Sequence, residues 1–428
     1  MSGCRERRNA WCKSWSNWSN SRNHSRGKVL AKSLVWAAAV CVLAVYSGCG
    51  GNGLDSQPSI QTIQPIQPEE PSSVRRAEQE LEAETDTGID TRTDMSVGED
   101  PEIITITISA AGDVTMGNYV GQDYAWSFRQ MYETVEDPGY FFENVYDIFS
   151  QDDMTIVNLE GVLTFSEELN PGRTYNIKGD PEYADILTCG SVEAVSMANN
   201  HRLDFGENGT KDTLAALEPT GIVHAYDTHV GIYETKGIRI GFVSVNEIGW
   251  GQGVEKLMKD GIAKLQEEEA DLILACCHWG IEREFYPTQF QQDFGRECID
   301  WGADLVIGHH PHVLQGVEVY QGKYIIYSLA NFCFGANRNP ADKDTMIAQQ
   351  TFTFIDGEKQ EETEFRIIPC SITSDSSRND YRPTPAEGDE ALRIIDRVNE
   401  YSQGLYSQGM SIGLQFDENG CVKAMSGQ

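Results

Sequence analysis

Five short apolar runs between residues 103 and 372 each end in a residue type that can hold a cation, and this repeat constrains the fold more than any other feature of the chain. "IITITISAAGDV" runs into Asp113, "DMTIVNLEG" into Asn158 and Glu160, and "VEAVSMANNH" into Asn199, Asn200 and His201. "ADLILACCHWG" ends at His278, and "ADLVIGHHPH" ends at His309, His310 and His312. The runs are rich in β-branched residues, and helical patterns separate them, which is the signature of a layered α/β domain. In open α/β sheets, sites assemble at the carboxyl ends of the strands, so groups about two hundred residues apart can converge. Of eight histidines in the chain, five fall in three of these runs.

The residue types fit one purpose. Carboxylate, amide oxygen and neutral imidazole together suit divalent Mn, Fe or Zn, and no thiolate belongs to the set, which argues against a soft-metal or structural zinc site. No CxxC pair suggests a zinc knuckle. A bridging carboxylate would hold two ions about 3.5 to 4 Å apart and polarise a substrate oxygen. His201, next to Asn200, is the candidate to protonate a leaving group. Singly, each residue has an ordinary reading as a helix cap, a turn residue or a satisfied core histidine; five such endings after five strands do not share one. Cys276, Cys277, Cys298, Cys333 and Cys370 lie in apolar patterns and read as small buried hydrophobes. Trp250, Trp279 and Trp301 are open between a cleft wall and the core.

The ends are of another kind. Residues 1–32 carry eight Lys or Arg against one acid, Glu6, and the apolar run "LVWAAAVCVLAV" and "YSGCGG" follow. A basic segment, an apolar stretch of about a dozen residues and small residues before a cleavage point describe a secretory signal, too short for a comfortable membrane span. The "SGC" ending at Cys49 is similar to a lipoprotein lipobox, with Tyr46 in place of the usual Leu. Lipidation at Cys49 is therefore expected, with simple cleavage or an uncleaved anchor as alternatives. Every version places the bulk of the chain outside the cytoplasm, attached to the bacterial cytoplasmic membrane in the lipidated and uncleaved forms. Residues 50–102 hold thirteen acids and three arginines and few large apolar groups, and read as a disordered acidic tether.

The formal charge is −33. Residues 1–48 contribute eight bases and one acid, so the remainder carries −40. A chain this acidic repels nucleic acid and anionic lipid, and repels a polyanionic substrate unless divalent cations or a local basic pocket intervene.

These stretches resemble the CapA/PgsA family of capsule and poly-γ-glutamate biosynthesis proteins, relatives of the calcineurin-like metallophosphoesterases. The matching segments are "GDVTMG", "NLEG", "MANNHRLDFG", "HWGIE", "GADLVIGHHPHVLQGVE" and "YSLANFCFG", in order along residues 112–335. The resemblance implies a four-layer α/β/β/α metallophosphoesterase-like sandwich with two mixed sheets. It implies metal ligation by Asp113, Glu160, Asn200, His278, His310 and His312, with His201 as catalytic acid and His309, Asn158 and Asn199 as possible additional site residues. The pattern departs at Thr115, where the metallophosphoesterases carry a histidine, and at Glu160, where they carry the bridging aspartate. One ligand of the first ion is then missing, so one ion, or two of unequal affinity, is expected.

The domain reading is a signal segment at 1–49, a tether at 50–102, a CapA-type domain at 103–375 and an extension at 376–428 packing on it. Within these, "TQFQQDFGRECIDWGADLVIG" predicts a helix over 289–301 ended by Gly302, and "DEALRIIDRVNEYSQGL" predicts a helix in the extension. Two functions follow. In the first, the cleft binds a metal and an anionic polymer such as poly-γ-glutamate and supports its synthesis, export or anchoring beside membrane synthetase components. In the second, the chain is a metal-dependent hydrolase or transferase acting on a phosphoester or amide-linked polymer. An envelope protein with a vestigial site is disfavoured by the intact ligand set.

Overall fold

The computed structural model describes residues 101–250, 253–405 and 414–423. The signal segment with Cys49, nearly all of the 50–102 segment and the side chain of Trp250 lie outside the described residues. The described residues belong to one compact unit.

Two mixed sheets make its centre. The larger has nine strands, ordered Thr384–Pro385, Glu364–Ser371, Asp344–Ile355, Ile103–Thr115, Met154–Leu159, Ala194–Ser196 and Val223–Ala225; Asn331–Phe334 pairs beside Ile103–Thr115, and Glu358–Lys359 beside Asp344–Ile355. The smaller has six, ordered Val317–Tyr320, Lys323–Ile326, Leu305–His309, Leu272–His278, Ile238–Asn246 and Gly231–Thr235. A third, small sheet joins Asn118–Tyr119, Ile177–Gly179 and Val162–Leu163.

Strand alternation builds the layers, because successive side chains point to opposite faces. Ile106 and Ile108 of one sheet share a core with Ile240, Phe242, Leu272 and Leu305 of the other, so the sheets pack face to face. On the outer face of the larger sheet, Val157 and Val195 pack with Phe128, Phe149 and Leu187 from helices. On the outer face of the smaller sheet, Val243, Ala275 and Val306 meet Met258 and Ile262 of the Gly253–Glu267 helix and Phe294 and Cys298 of Gln289–Trp301. The result is a four-layer α/β/β/α sandwich. Trp279 is fully buried in that outer layer, and Trp301, partly buried, packs at its margin against Phe294, so both belong to the helix-covered outer layer and not to the end where the ligand types gather.

The Gln289–Trp301 helix begins at a capping box between Thr288 and Gln291 and stops at Gly302, whose φ of 120° few other residues tolerate. It delivers the chain into Leu305–His309. In the C-terminal region the Gly388–Ser402 helix buries Ile394, Ile395 and Val398 in the core between and beside the sheets.

Ile103–Thr115, Met154–Leu159 and Ala194–Ser196 run parallel. So do Ile238–Asn246, Leu272–His278 and Leu305–His309. Hydrogen bonds from Ala198 N to Ser244 Oγ at 3.0 Å and from His309 Nε2 to Ala111 O at 3.2 Å tie the two carboxyl edges together. One end of the sandwich therefore collects the polar strand endings of both sheets.

Candidate metal centre

Local backbone features aim the ligands. Asp113 faces both Asn158 and Asn331 across neighbouring strands, and a register irregularity lies between Ala111 and Asp113; a bulge of this kind turns a side chain out of the regular pleat. Gly112 makes room for it, since a Cβ there would lie 2.1 Å from the Ala330 carbonyl oxygen. The turn "HHPH" holds His310 at φ 98° and His312 at φ 58°. Non-glycine residues persist in such conformations where the surroundings over-determine them, at a cost of about 1–3 kcal/mol each, and they cluster at functional sites.

The six residues expected to be ligands come together as two adjoining triplets. In the first, Asp113, Glu160 and His312 each offer a ligand atom within 4.8 Å of the others'. His312 Nδ1 lies 3.2 Å from Asp113 Oδ2 and donates to Asn331 Oδ1 at 2.9 Å, while its Nε2 lies 3.8 Å from Glu160 Oε1. In the second, His278 Nε2 lies 2.7 Å from Asn200 Oδ1 and 3.1 Å from His310 Nδ1. Asn158 joins the two, donating from Nδ2 to Asp113 Oδ1 at 2.8 Å with His278 Nδ1 3.4 Å away.

The other named residues support this arrangement. Asn199 donates to Asn158 Oδ1 at 3.2 Å and to Leu159 O at 2.8 Å, and accepts from His201 N at 3.1 Å, which spends its amide on the scaffold. His309 faces the Ala111 carbonyl, which can only accept, so its Nε2 carries a proton there and offers no lone pair. His201 donates from Nδ1 to Asp204 Oδ2 at 2.7 Å and directs Nε2 toward Glu160 Oε1 at 3.9 Å.

Three contributors escaped the sequence reading. Glu282 groups with His310 and His312 within the same 4.8 Å limit, and stands in the "HWGIE" segment. Asp204, fully buried, orients His201 and also accepts from Ile177 N at 2.7 Å. Asn331 fixes the His312 ring. The signal for Asp204 was its place three residues after His201; nothing in the pattern singled out Asn331.

The electrostatics are those of a cation site. Burial lifts Glu160 and the neighbouring Asp113 adds to it, bringing its carboxyl up to about 7. Burial opposes ionisation of Asp113 too, but the close approach of His312, with Nδ1 3.2 Å from Oδ2, and the charge of that ring hold it below the ordinary range. His312 is depressed by burial and more than restored by Glu160 and Asp113, reaching about 10. Burial, then repulsion from His312, drops His310 to about 4, and burial with His310 takes His278 well below its usual value. His278 and His310 are thus neutral at pH 7, as ligands must be.

The residues fit a divalent ion. Asp113 Oδ2 and both Glu160 carboxylate oxygens are buried and have no hydrogen-bond donor among the described residues. Buried oxygens of this kind are costly unless a charge or donor meets them. In the ion-free state the proton on His312 partly supplies that charge. Bound there, a divalent ion supplies Lewis acidity and a positive charge for an anionic oxygen. The missing histidine at Thr115 is not replaced in place, but Glu282 brings an oxygen within 4.8 Å of ligand atoms of His310 and His312.

The sheet ends of this four-layer sandwich bring carboxylates, an amide and imidazoles together at one edge of a metallophosphoesterase-like α/β fold. The sequence model described as bacterial capsule synthesis protein PGA_cap matches residues 107–336, more than half of the chain, and the chain belongs to that family. It is 28% identical over 251 residues to the PGA biosynthesis protein CapA of Bacillus subtilis, covering 54% of this chain and 63% of that one. It is 23% identical over 256 residues to a probable polyglutamine synthesis accessory protein of Mycobacterium tuberculosis, covering 53% of this chain and 63% of that one. The match thus spans less than two thirds of these curated relatives. A crystal structure of a hypothetical protein from Thermus thermophilus is 15% identical with a TM-score of 0.38, covering 62% of this chain and 99% of that one.

Proposed function

We propose that the chain is an extracytoplasmic assembly factor in capsule synthesis, which holds an anionic polymer of the poly-γ-glutamate type through divalent ions in its cleft. The observation that carries this is the set of unmatched buried carboxylate oxygens on Asp113 and Glu160 beside neutral His278 and His310, in a member of a capsule-synthesis family. One relative is named for PGA biosynthesis and another as a probable accessory protein of polyglutamine synthesis, which supports work beside membrane synthetase components. Charge supports an ion-mediated grip: a chain at −33 repels a polycarboxylate, and ions shared between protein and polymer carboxylates reverse that. Full-length protein should retain poly-γ-glutamate in the presence of Mn²⁺ or Zn²⁺ and release it on chelation. Retention that survives complete removal of the ion would rule this mode out.

Attachment through Cys49 belongs to the same proposal, supported by the apolar run at 34–45, the small residues before Cys49 and the acidic stretch after it. Mass spectrometry of the native protein should find a lipidated Cys49 as the N-terminus. A chain starting elsewhere contradicts it.

A second reading has its own support. His201 is held by Asp204 with Nε2 3.9 Å from Glu160 Oε1, which supports a role as proton donor in a hydrolase or transferase.

A further inference from the structure

Glu282 is exposed and lies in the loop between Leu272–His278 and Gln289–Trp301, outside any strand or helix. A carboxylate on a free loop samples many positions, and ordering it is part of the cost of binding. Here the loop is held at both sides. Toward the centre, Arg283 N donates to Pro311 O at 2.8 Å, inside the "HHPH" turn. On the far side, Phe285 stacks on Tyr401 of the Gly388–Ser402 helix, with ring centroids 5.4 Å apart and planes at 21°, and Tyr286 meets the same ring edge-on at 5.4 Å.

Arg397 completes the clamp. Its guanidinium lies 5.5 Å from the Phe285 ring and 5.7 Å from the Tyr401 ring, and it is anchored by Asp342 at 2.8 Å and by Asp344. Tyr401 is buried, whereas Phe285 and Tyr286 are 36% and 54% exposed. The helix thus offers a fixed ring to two loop residues that the core does not enclose. It lies beyond the 107–336 segment that the family model matches.

We infer that Tyr401 is a positioning residue for the metal centre: the C-terminal helix braces the 281–286 loop through Tyr401 and so presents Glu282 to His310 and His312. The inference rests on the cleft being a metal centre. Stacking, not the phenol hydroxyl, carries the effect, and Tyr401 acts only through Glu282.

Both statements can be measured with Co²⁺, followed by calorimetry and by its visible spectrum, on the full chain. Tyr401→Ala and Phe285→Ala should each weaken Co²⁺ by roughly 10-fold or more, in the range seen when groups that orient ligands are removed, with the same spectral change as Glu282→Ala. Tyr401→Phe should match the parent. The double variant Glu282→Ala/Tyr401→Ala should bind no more weakly than Glu282→Ala alone, as expected for residues acting through one contact. Phe285→Ala guards against a folding defect, since that ring is partly exposed. Parent-like affinity in Phe285→Ala, or additive losses in the double variant, overturns the inference while leaving the metal centre standing. Failure of the parent itself to bind Co²⁺ overturns the metal centre and the inference with it.

Discussion

Replacing His312 with alanine should lower divalent-ion affinity by on the order of 100-fold or more, at or beyond the upper end of what loss of a group orienting a ligand costs. His312 is the one residue common to both clusters, Asp113–Glu160–His312 and Glu282–His310–His312, so neither retains three ligands without it. Ion content by elemental analysis of the purified full-length chain reads the loss directly, and a fully loaded variant would remove the metal centre as described. The parent should also show a pH signature. His312, at about 10, and the protonated fraction of Glu160, at about 7, must give up protons to the ion, so binding weakens as pH falls and the heat at pH 7.5 depends on the buffer.

The same substitution has a predictable effect on the ion-free fold. The folded pKa of His312 is raised above its unfolded value, so its stabilisation is fully present below about 6.5 and is lost as pH rises through about 10. Removing it leaves buried Asp113 without its ion-pair partner and Glu160 with only His201 nearby, and breaking a buried pair in this way typically costs about 3–5 kcal/mol. The ion-free variant should therefore unfold most easily above neutrality and recover as acid protonates Glu160 and Asp113. Equal unfolding of parent and variant in denaturant at pH 8 would contradict this electrostatic account.

What could be read from the sequence was what period and punctuation encode. The 289–301 helix is bounded as its pattern indicates, because Thr288 with Gln291 and then Gly302 are chemical start and stop signals. Strand endings carried ligand types into view since apolar runs stop where side chains must turn polar. The three-stranded sheet of Asn118–Tyr119, Ile177–Gly179 and Val162–Leu163 was invisible, its strands being two or three residues long, shorter than any alternation that can be recognised.

The unread part of the site has a common cause. Glu282 sits on a loop with no period, and its approach to His310 depends on the "HHPH" backbone, whose positive φ values follow from tertiary packing and not from local preference. Asn331 reaches His312 because its strand pairs beside Asp113, a register set by contacts between segments more than two hundred residues apart. Trp279 stood beside a ligand in sequence yet faces the opposite side of its sheet, since alternation sends it to the outer core.

His201→Ala against Glu160→Ala is the pair that separates holding a polymer from cutting one. Glu160 offers two buried oxygens without a donor among the described residues, and in either function its removal takes a charge from the ion. His201 is different. It stands 3.9 Å from Glu160 Oε1 and hydrogen-bonds to Asp204, and its pKa is pushed up overall because that hydrogen bond and the Glu160 charge outweigh burial, the largest single influence. An imidazole whose proton is held more firmly than usual has two uses there: steadying Glu160, which matters moderately for ion binding, or giving a proton to a leaving group, which typically is worth 10² to 10⁴ in rate. An assembly factor needs only the first. In cells that make the polymer, His201→Ala should therefore retain most surface polymer while Glu160→Ala loses it. Matching, complete loss in both, with the His201 variant folded and loaded with ion, would identify the proton transfer as the essential step and the chain as the hydrolase or transferase.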